Sequence, residues 1–124
     1  MVAPCYLFYV TAEPEGPTYD LAEIKRLVRR GGRSYRIEPI ARTGAGKLKL
    51  DEEDIVECVL ALDDRQIAEG GHFYKTMESE CRPGLFHDVY KTCHNGKPIY
   101  CKMQLMQAKE TAAIVIQFKR DKSR

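Results

Sequence analysis

The chain has 124 residues, of which 44% are hydrophobic and 31% are charged, and its formal net charge is +2. These values predict one folded domain and exclude a disordered chain. The five cysteines include no C-x-x-C pair and no zinc-finger spacing, which argues against structural zinc.

The beginning of the chain lacks the basic start of a signal peptide, and no stretch approaches the ~20 apolar residues of a membrane span. We therefore expect a cytoplasmic protein with reduced thiols and no membrane partner. Residues 12–17 are rich in Pro, Glu and Gly, which is typical of a linker. The sequence accordingly predicts an N-terminal extension over residues 1–17 and one domain over residues 18–124.

The positive charges are concentrated in two runs, whereas acidic residues collect elsewhere, chiefly at residues 51–54. Such runs are typical of solvated helix faces, and nucleic-acid binding is the alternative. Charge alone leaves both interpretations open. The first run is Lys25, Arg26, Arg29, Arg30, Arg33 and Arg36, and the second is Lys119, Arg120, Lys122 and Arg124.

Apolar residues at helical spacing predict two helices. The first begins after Thr18 or Asp20, either of which can cap it, and ends at the glycine pair 31–32. The second follows Asp51, and its acidic first turn suits a helix N-terminus. Between them we expect a strand over residues 35–40 and a flexible, glycine-containing loop over residues 43–46. The apolar positions are Leu21, Ile24, Leu27 and Val28 in the first helix and Ile55, Val56, Val59, Leu60 and Leu62 in the second.

Two C-terminal stretches alternate between apolar and polar residues, which is the period of a β-strand. Joined by a two-residue turn at Lys109 and Glu110, they form a hairpin that places Tyr100 opposite Lys119. This pair lies on the face away from the core, with Cβ atoms about 5 Å apart. The core pairs in this register are Cys101 with Phe118, Met103 with Ile116, and Leu105 with Ile114.

The strongest signal for a hairpin turn is Asn95–Gly96, which joins residues 85–92 to the strand that contains Tyr100. This pairing puts His87 on the same face as Tyr100 but ~13 Å away from it. It also points Asp88 toward the core. A longer loop or a bulge would bring His87 closer, and the sequence leaves these arrangements open.

Three ordered blocks, H-F-Y-K-T-M at 72–77, F-H-D-V-Y at 86–90 and G-K-P-I-Y-C-K at 96–102, resemble the motility quorum-sensing regulator (MqsR) toxins. The resemblance extends over roughly residues 18–120. It implies an α+β, RelE-like fold with an antiparallel sheet and helices packed on one face. It also implies an endoribonuclease that cleaves single-stranded mRNA without a ribosome or cofactor, and that a cognate antitoxin protein neutralises.

By this resemblance, the family's catalytic positions fall on Lys75, Tyr100 and Lys119, and a fourth falls on His87, where the family has glutamine. RNA cleavage needs a base for the 2′-hydroxyl, cations for the charge that grows on phosphorus, and an acid for the leaving 5′-oxygen. The two lysines can supply positive charge. Tyr100 can hold or donate a proton if the neighbouring cations lower its pKa, and His87 is a candidate for part of the acid/base work.

A lysine or tyrosine on a strand is ordinarily a surface or half-buried residue, so the family blocks and the predicted Tyr100–Lys119 pairing carry these assignments. The alternative function is a RelE-like module that binds RNA or an antitoxin without cleaving, which the His87 departure and the N-terminal extension favour. A metal site at His72, Cys93 and His94 is disfavoured because they lack ligand spacing. Three further residues are predicted to contact RNA: Tyr74, Lys102 and Arg120.

Overall fold

The computed structural model describes residues 16–107 and 110–122. Within these ranges the strands form one sheet in the order β1-β5-β4-β3-β2, in which β1 and β5 are parallel and the other neighbours are antiparallel. This confirms the predicted α+β class. The helices are α1 (Leu21–Arg30), α2 (Pro39–Lys47) and α3 (Glu52–Leu60), and the strands are β1 (Tyr35–Ile37), β2 (Phe73–Glu78), β3 (Phe86–His94), β4 (Lys97–Gln107) and β5 (Thr111–Arg120).

The two predicted helices are confirmed as α1 and α3, and each begins with a side-chain cap. Asp20 accepts a hydrogen bond from the Ala22 N–H at 3.0 Å, and Asp51 and Asp54 form a capping box at the start of α3. Gly31, with φ 75°, ends α1. In the described part of the chain, no helix is long and apolar enough to cross a membrane. The predicted apolar positions that are buried in the core are Leu21, Ile24, Leu27, Val28, Ile55, Val59 and Leu62.

The loop predicted over residues 43–46 is wrong, because these residues belong to α2, and the preceding strand ends at Ile37. Pro39 suits the first turn of a helix. Gly44 lets α2 lie directly against β5, since a Cβ at this position would be 2.1 Å from the carbonyl oxygen of Phe118. The glycines that suggested a loop therefore include one that serves helix packing instead.

The predicted register of β4 and β5 is confirmed near Tyr100, which pairs with Lys119, and Cys101 pairs with Phe118 as expected. Beyond this point the prediction is wrong, because a bulge lies between Lys102 and Met103. The bulge places one extra residue in β5. The residues of β5 that precede it therefore point to the opposite faces from those predicted. Met103 now pairs with Val115, and Leu105 pairs with Ala113.

The bulge decides which side chains of β5 meet the helices. Ala113 and Val115 join the core, where α1 and α2 pack against β5. Ile114, which was predicted to face the core, instead pairs with Gln104 on the other face. The last pair of the hairpin is Gln107 with Thr111. The predicted turn residue Lys109 lies outside the described residues.

The β3–β4 hairpin has the predicted two-residue turn, with positive φ angles at Asn95 (51°) and Gly96 (76°). Asp88 points into the core, as the regular pairing required, and it is fully buried. Its carboxylate accepts hydrogen bonds from the backbone N–H groups of Thr18 (2.9 Å) and Tyr19 (2.8 Å). The segment before α1 therefore satisfies a carboxylate that would otherwise be costly to bury.

We predict that Gly44→Ala lowers the free energy of unfolding by about 1–3 kcal/mol, because the new methyl group would collide with the backbone of Phe118. Gly46→Ala is the matched control in the same helix, since a Cβ there meets nothing within 4 Å. It should stabilise the protein by roughly 0.5–1 kcal/mol through helix propensity. Denaturant titrations measure both values. Equal effects of the two substitutions would contradict the close packing of α2 on β5.

Candidate active site

The sheet face opposite the helices carries three neighbouring rows of side chains, defined by the strand pairing. Neighbouring rows are two residues apart along each strand, or about 6.6 Å. We call this surface the cationic face because lysines occupy its first two rows. The first row is Tyr74, Lys91, Tyr100 and Lys119, the second is Lys75, Val89, Lys102 and Gln117, and the third is Met77, His87, Gln104 and Ile114.

An irregularity in β2 brings two consecutive residues to this face. Phe73 pairs with Tyr90 and Lys75 pairs with Val89, so Tyr74 is an extra residue between the pairs. Phe73 remains buried in the core, whereas Tyr74 and Lys75 are both exposed. Such bulges often re-aim side chains near active sites. Here the bulge adds both an aromatic ring and a cation to the surface.

Two aromatic rings of the first row each lie against a lysine. The Nζ atom of Lys119 is 4.9 Å from the ring centroid of Tyr100, and that of Lys91 is 3.9 Å from the ring centroid of Tyr74. A cation is attracted to the face of an aromatic ring at such distances. The two tyrosines therefore offset part of the repulsion between neighbouring lysines.

Lys102, in the second row, is close enough to Lys75 and Lys119 for their positive charges to act on it. In the sheet it pairs with Val89. Burial lowers the pKa of Lys102 below its usual range, and the positive charges of Lys119 and Lys75 lower it further. Val89 has no solvent exposure and forms an apolar floor under the lysines. Charges above such a floor interact more strongly with an anion than they would in water.

The neighbouring lysines do not lower the pKa of Tyr100 below its ordinary value. Burial raises the pKa of Tyr100, and the neighbouring Tyr74 and the negative charge of Asp121 raise it further. Its hydroxyl lies 4.0 Å from the Sδ atom of Met77, in the third row. Tyr100 therefore keeps its proton near neutral pH and is suited to donate a hydrogen bond or a proton rather than to accept one.

His87 lies in the third row, because the β3–β4 pairing is regular from Asp88 to His94 and contains no bulge that would shift it. It pairs with Met77, and the side chain of Gln104 lies close enough to affect its pKa. Burial lowers the pKa of His87, as does the charge of Lys102, while Gln104 and Asp88 oppose these effects. The imidazole is consequently neutral near pH 7, the form that can accept a proton.

The Tyr100 hydroxyl contacts Met77, the residue of β2 that pairs with His87. Met77 lies directly across the strand pair from His87. The Tyr100 hydroxyl thus reaches toward the third row although its backbone is in the first. The structure brings together the side chains of the predicted catalytic residues Lys75, Tyr100 and Lys119, with His87 at the border of the set.

Among the predicted RNA-binding residues, Tyr74 and Lys102 lie on the cationic face and Arg120 does not. Arg120 pairs with the buried Ile99, so it lies on the other face of the sheet from Lys119. It lines a separate cavity of about 440 Å³ beside α2, together with Lys47 and Lys122. Lys119 also lines this cavity, so Arg120 extends the positive surface around the edge of the sheet.

Two charged residues of the site were not singled out from the sequence. Lys91 pairs directly with Tyr100, and its Nζ lies 3.5 Å from the buried carboxylate of Asp121. The alternation of side chains along β3 places Lys91 on the same face as Tyr100, so the sequence does carry a signal for its position. Asp121 follows β5 and carries no such pattern. Its carboxylate holds one lysine of a strongly positive surface in place.

His72 and His94 make separate contacts. The Nδ1 atom of His72 accepts the Asp63 N–H at 2.9 Å. The Nε2 atom of His94 lies 3.3 Å from Asp54, with Glu57 beside it, and links the β3–β4 turn to α3. In residues 16–107 and 110–122, this second group has three possible ligand atoms within 4.8 Å of one another. One of them belongs to Asp54, which also caps α3.

These features define a small α+β protein in which one sheet face combines clustered lysines, two tyrosines and a neutral histidine. A family model described as motility quorum-sensing regulator, toxin of MqsA, matches residues 16–120, and the chain belongs to this family. It is therefore a toxin of a toxin–antitoxin system, and an antitoxin is its partner. A search of curated proteins found no match. The RelE-like detail of the fold stays a prediction.

The lowered pKa of Lys102 predicts a pH dependence of anion binding. A lysine is charged below its pKa, so Lys102 loses its charge at a lower pH than an ordinary lysine does. The affinity for a short DNA oligonucleotide should therefore begin to fall at a pH below the ordinary lysine pKa of about 10.4. Lys102→Arg keeps its charge at this pH and should flatten that fall. Fluorescence anisotropy measures the affinity.

The control for this experiment is Lys49→Arg, at an exposed position away from the cationic face. It should leave the profile unchanged. The same pH profile of affinity in the wild type, Lys102→Arg and Lys49→Arg would contradict the conclusion that neighbouring positive charges lower the pKa of Lys102.

Proposed function

We propose that this toxin is an mRNA interferase, an endoribonuclease that cleaves single-stranded mRNA independently of the ribosome by metal-independent acid/base chemistry. The observation that carries the proposal is the pairing of Tyr100 with Lys119 within a surface that also bears Lys75 and Lys102. RNA supplies its own nucleophile, the 2′-hydroxyl. A protein then needs to bind the phosphate, stabilise its added charge and move two protons.

The geometry suggests a role for each group. His87 accepts the proton of the 2′-hydroxyl as the 2′-oxygen bonds to phosphorus. The bond from phosphorus to the 5′-oxygen then breaks, and Tyr100 donates its proton to that oxygen. The products are a 2′,3′-cyclic phosphate and a 5′-hydroxyl. Lys75 and Lys119, with Lys102 beside them, stabilise the charge on the pentavalent phosphorus in between.

The surroundings of the site support binding of a single strand. Tyr74 is exposed at the edge of the sheet and offers a ring on which a base can stack. The lysines follow the sheet from β2 to β5 and can contact successive phosphates. Arg120 prolongs this path around the edge of β5.

We predict that the purified protein cleaves a defined single-stranded RNA in the presence of EDTA. Lys119→Ala should lower the cleavage rate by ~100-fold or more, since removal of one transition-state donor has an effect of this order. Tyr100→Phe keeps the ring and removes only the hydroxyl, so it tests proton donation separately from packing. Both variants should melt near the wild-type temperature, because the substitutions lie outside the core.

Arg29→Ala on the exposed side of α1 is the matched control, since it removes one positive charge far from the cationic face. It should cleave like the wild type. Cleavage that requires an added divalent metal would overturn the mechanism. Salt-dependent RNA binding without any product would favour the non-catalytic module instead.

A second prediction concerns the N-terminal extension. The structure ties the chain to Asp88 at Thr18 and Tyr19, and the family match begins at residue 16. Deletion of residues 1–16 should therefore leave RNA cleavage largely intact. Deletion of residues 1–19 removes two hydrogen bonds to a buried carboxylate, each worth roughly 1.5–3 kcal/mol, and should lower the melting temperature. A folded but inactive protein after the shorter deletion would show that the extension takes part in catalysis.

A further inference from the structure

A cavity of about 700 Å³ opens at the end of the cationic face, next to the third row. Its lining contains no lysine, although Arg36, Glu38 and Arg82 supply charge. The apolar part of the wall includes Ile114, Ile116 and Met106, and Gln104 and His87 are among the polar groups. Apolar surface with a few placed polar groups is typical of a site for a small organic group.

The bulge in the β4–β5 pairing determines that Ile114 lines this cavity. With the regular register, Ile114 would face the helices opposite Leu105. The bulge instead turns Ile114 onto the cationic face, where it pairs with Gln104. Gln104 has only 7% of its surface exposed and lies next to His87 in the third row. Its side-chain amide offers both a donor and an acceptor.

We propose that this cavity binds the nucleobase of the nucleotide on the 5′ side of the cleaved bond, and that Gln104 contacts the edge of that base. The inference rests on the proposed ribonuclease function. His87 lies between the lysines and the cavity, so a nucleotide whose 2′-hydroxyl meets His87 has its phosphate on the lysine side. Its base then extends away from the lysines, into the cavity.

The chemistry of the lining fits a base that has left its stack. Proteins that recognise single-stranded RNA hold splayed bases against apolar, aromatic or arginine surfaces and hydrogen-bond their edges. Ile114 and Ile116 provide apolar surface, Arg82 is a further lining residue, and Gln104 supplies hydrogen-bonding groups. The cavity therefore selects the cleavage site, whereas the lysines bind any phosphate.

The experiment maps cleavage sites in a random pool of single-stranded RNA by sequencing the new 5′ ends. The wild type should prefer one base on the 5′ side of the cut. On a defined RNA, removal of that base to leave an abasic sugar should slow cleavage at least about tenfold. Gln104→Leu removes the amide, and Ile116→Phe fills the cavity. Each should reduce the ratio between the rates on the intact and abasic substrates toward one.

The control is Ala22→Leu, which adds apolar volume on the exposed side of α1 and should keep the wild-type ratio. Thermal melts of all variants identify any that unfold, and the abasic comparison on the wild type needs no variant. A wild type that cleaves without a base preference at this position would overturn the cavity assignment. An unchanged ratio of rates in both variants would overturn it too. Either result would leave the ribonuclease proposal standing. A wild type that cleaves no RNA would overturn both.

Discussion

The register of β4 against β5 is the constraint on which the site depends. Cys101 and Phe118 are both fully buried and pair with each other, so their neighbours Tyr100 and Lys119 must point to the opposite face. A shift by one residue would put the lysine in the core, where an unpaired charge is very costly. The packing of the apolar residues thus fixes the relative position of the two polar ones without any direct hydrogen bond between them.

The same surface is electrostatically unfavourable in the free protein. Lys75, Lys102 and Lys119 lie close enough that their charges lower the pKa of Lys102. Two contacts offset part of this repulsion. The ring of Tyr100 lies against Lys119, and the buried carboxylate of Asp121 pairs with Lys91. A polyanion that binds here would relieve the remaining repulsion. Clusters of like charge commonly lower the stability of a protein in this way.

Much of the fold follows from local patterns, and the rest depends on contacts between distant segments. The caps of α1 and α3, the Asn95–Gly96 turn and the Tyr100–Lys119 pair all have signals within a few residues. The helical state of residues 43–46 has none, because it requires Gly44 to approach β5. The bulge at Lys102 and the raised pKa of Tyr100 likewise reflect how the helices and neighbouring strands pack.

Strand β3 shows how the stability of the fold and the chemistry of the site are joined. Its consecutive residues His87 and Asp88 point to opposite faces of the sheet. Asp88 fastens the segment before α1 through two backbone N–H groups, whereas His87 meets Gln104 at the edge of the cavity. Because Asp88 is fixed in the core, the backbone at His87 cannot slide toward Tyr100. The Tyr100 side chain instead reaches the third row by contacting Met77, the strand partner of His87.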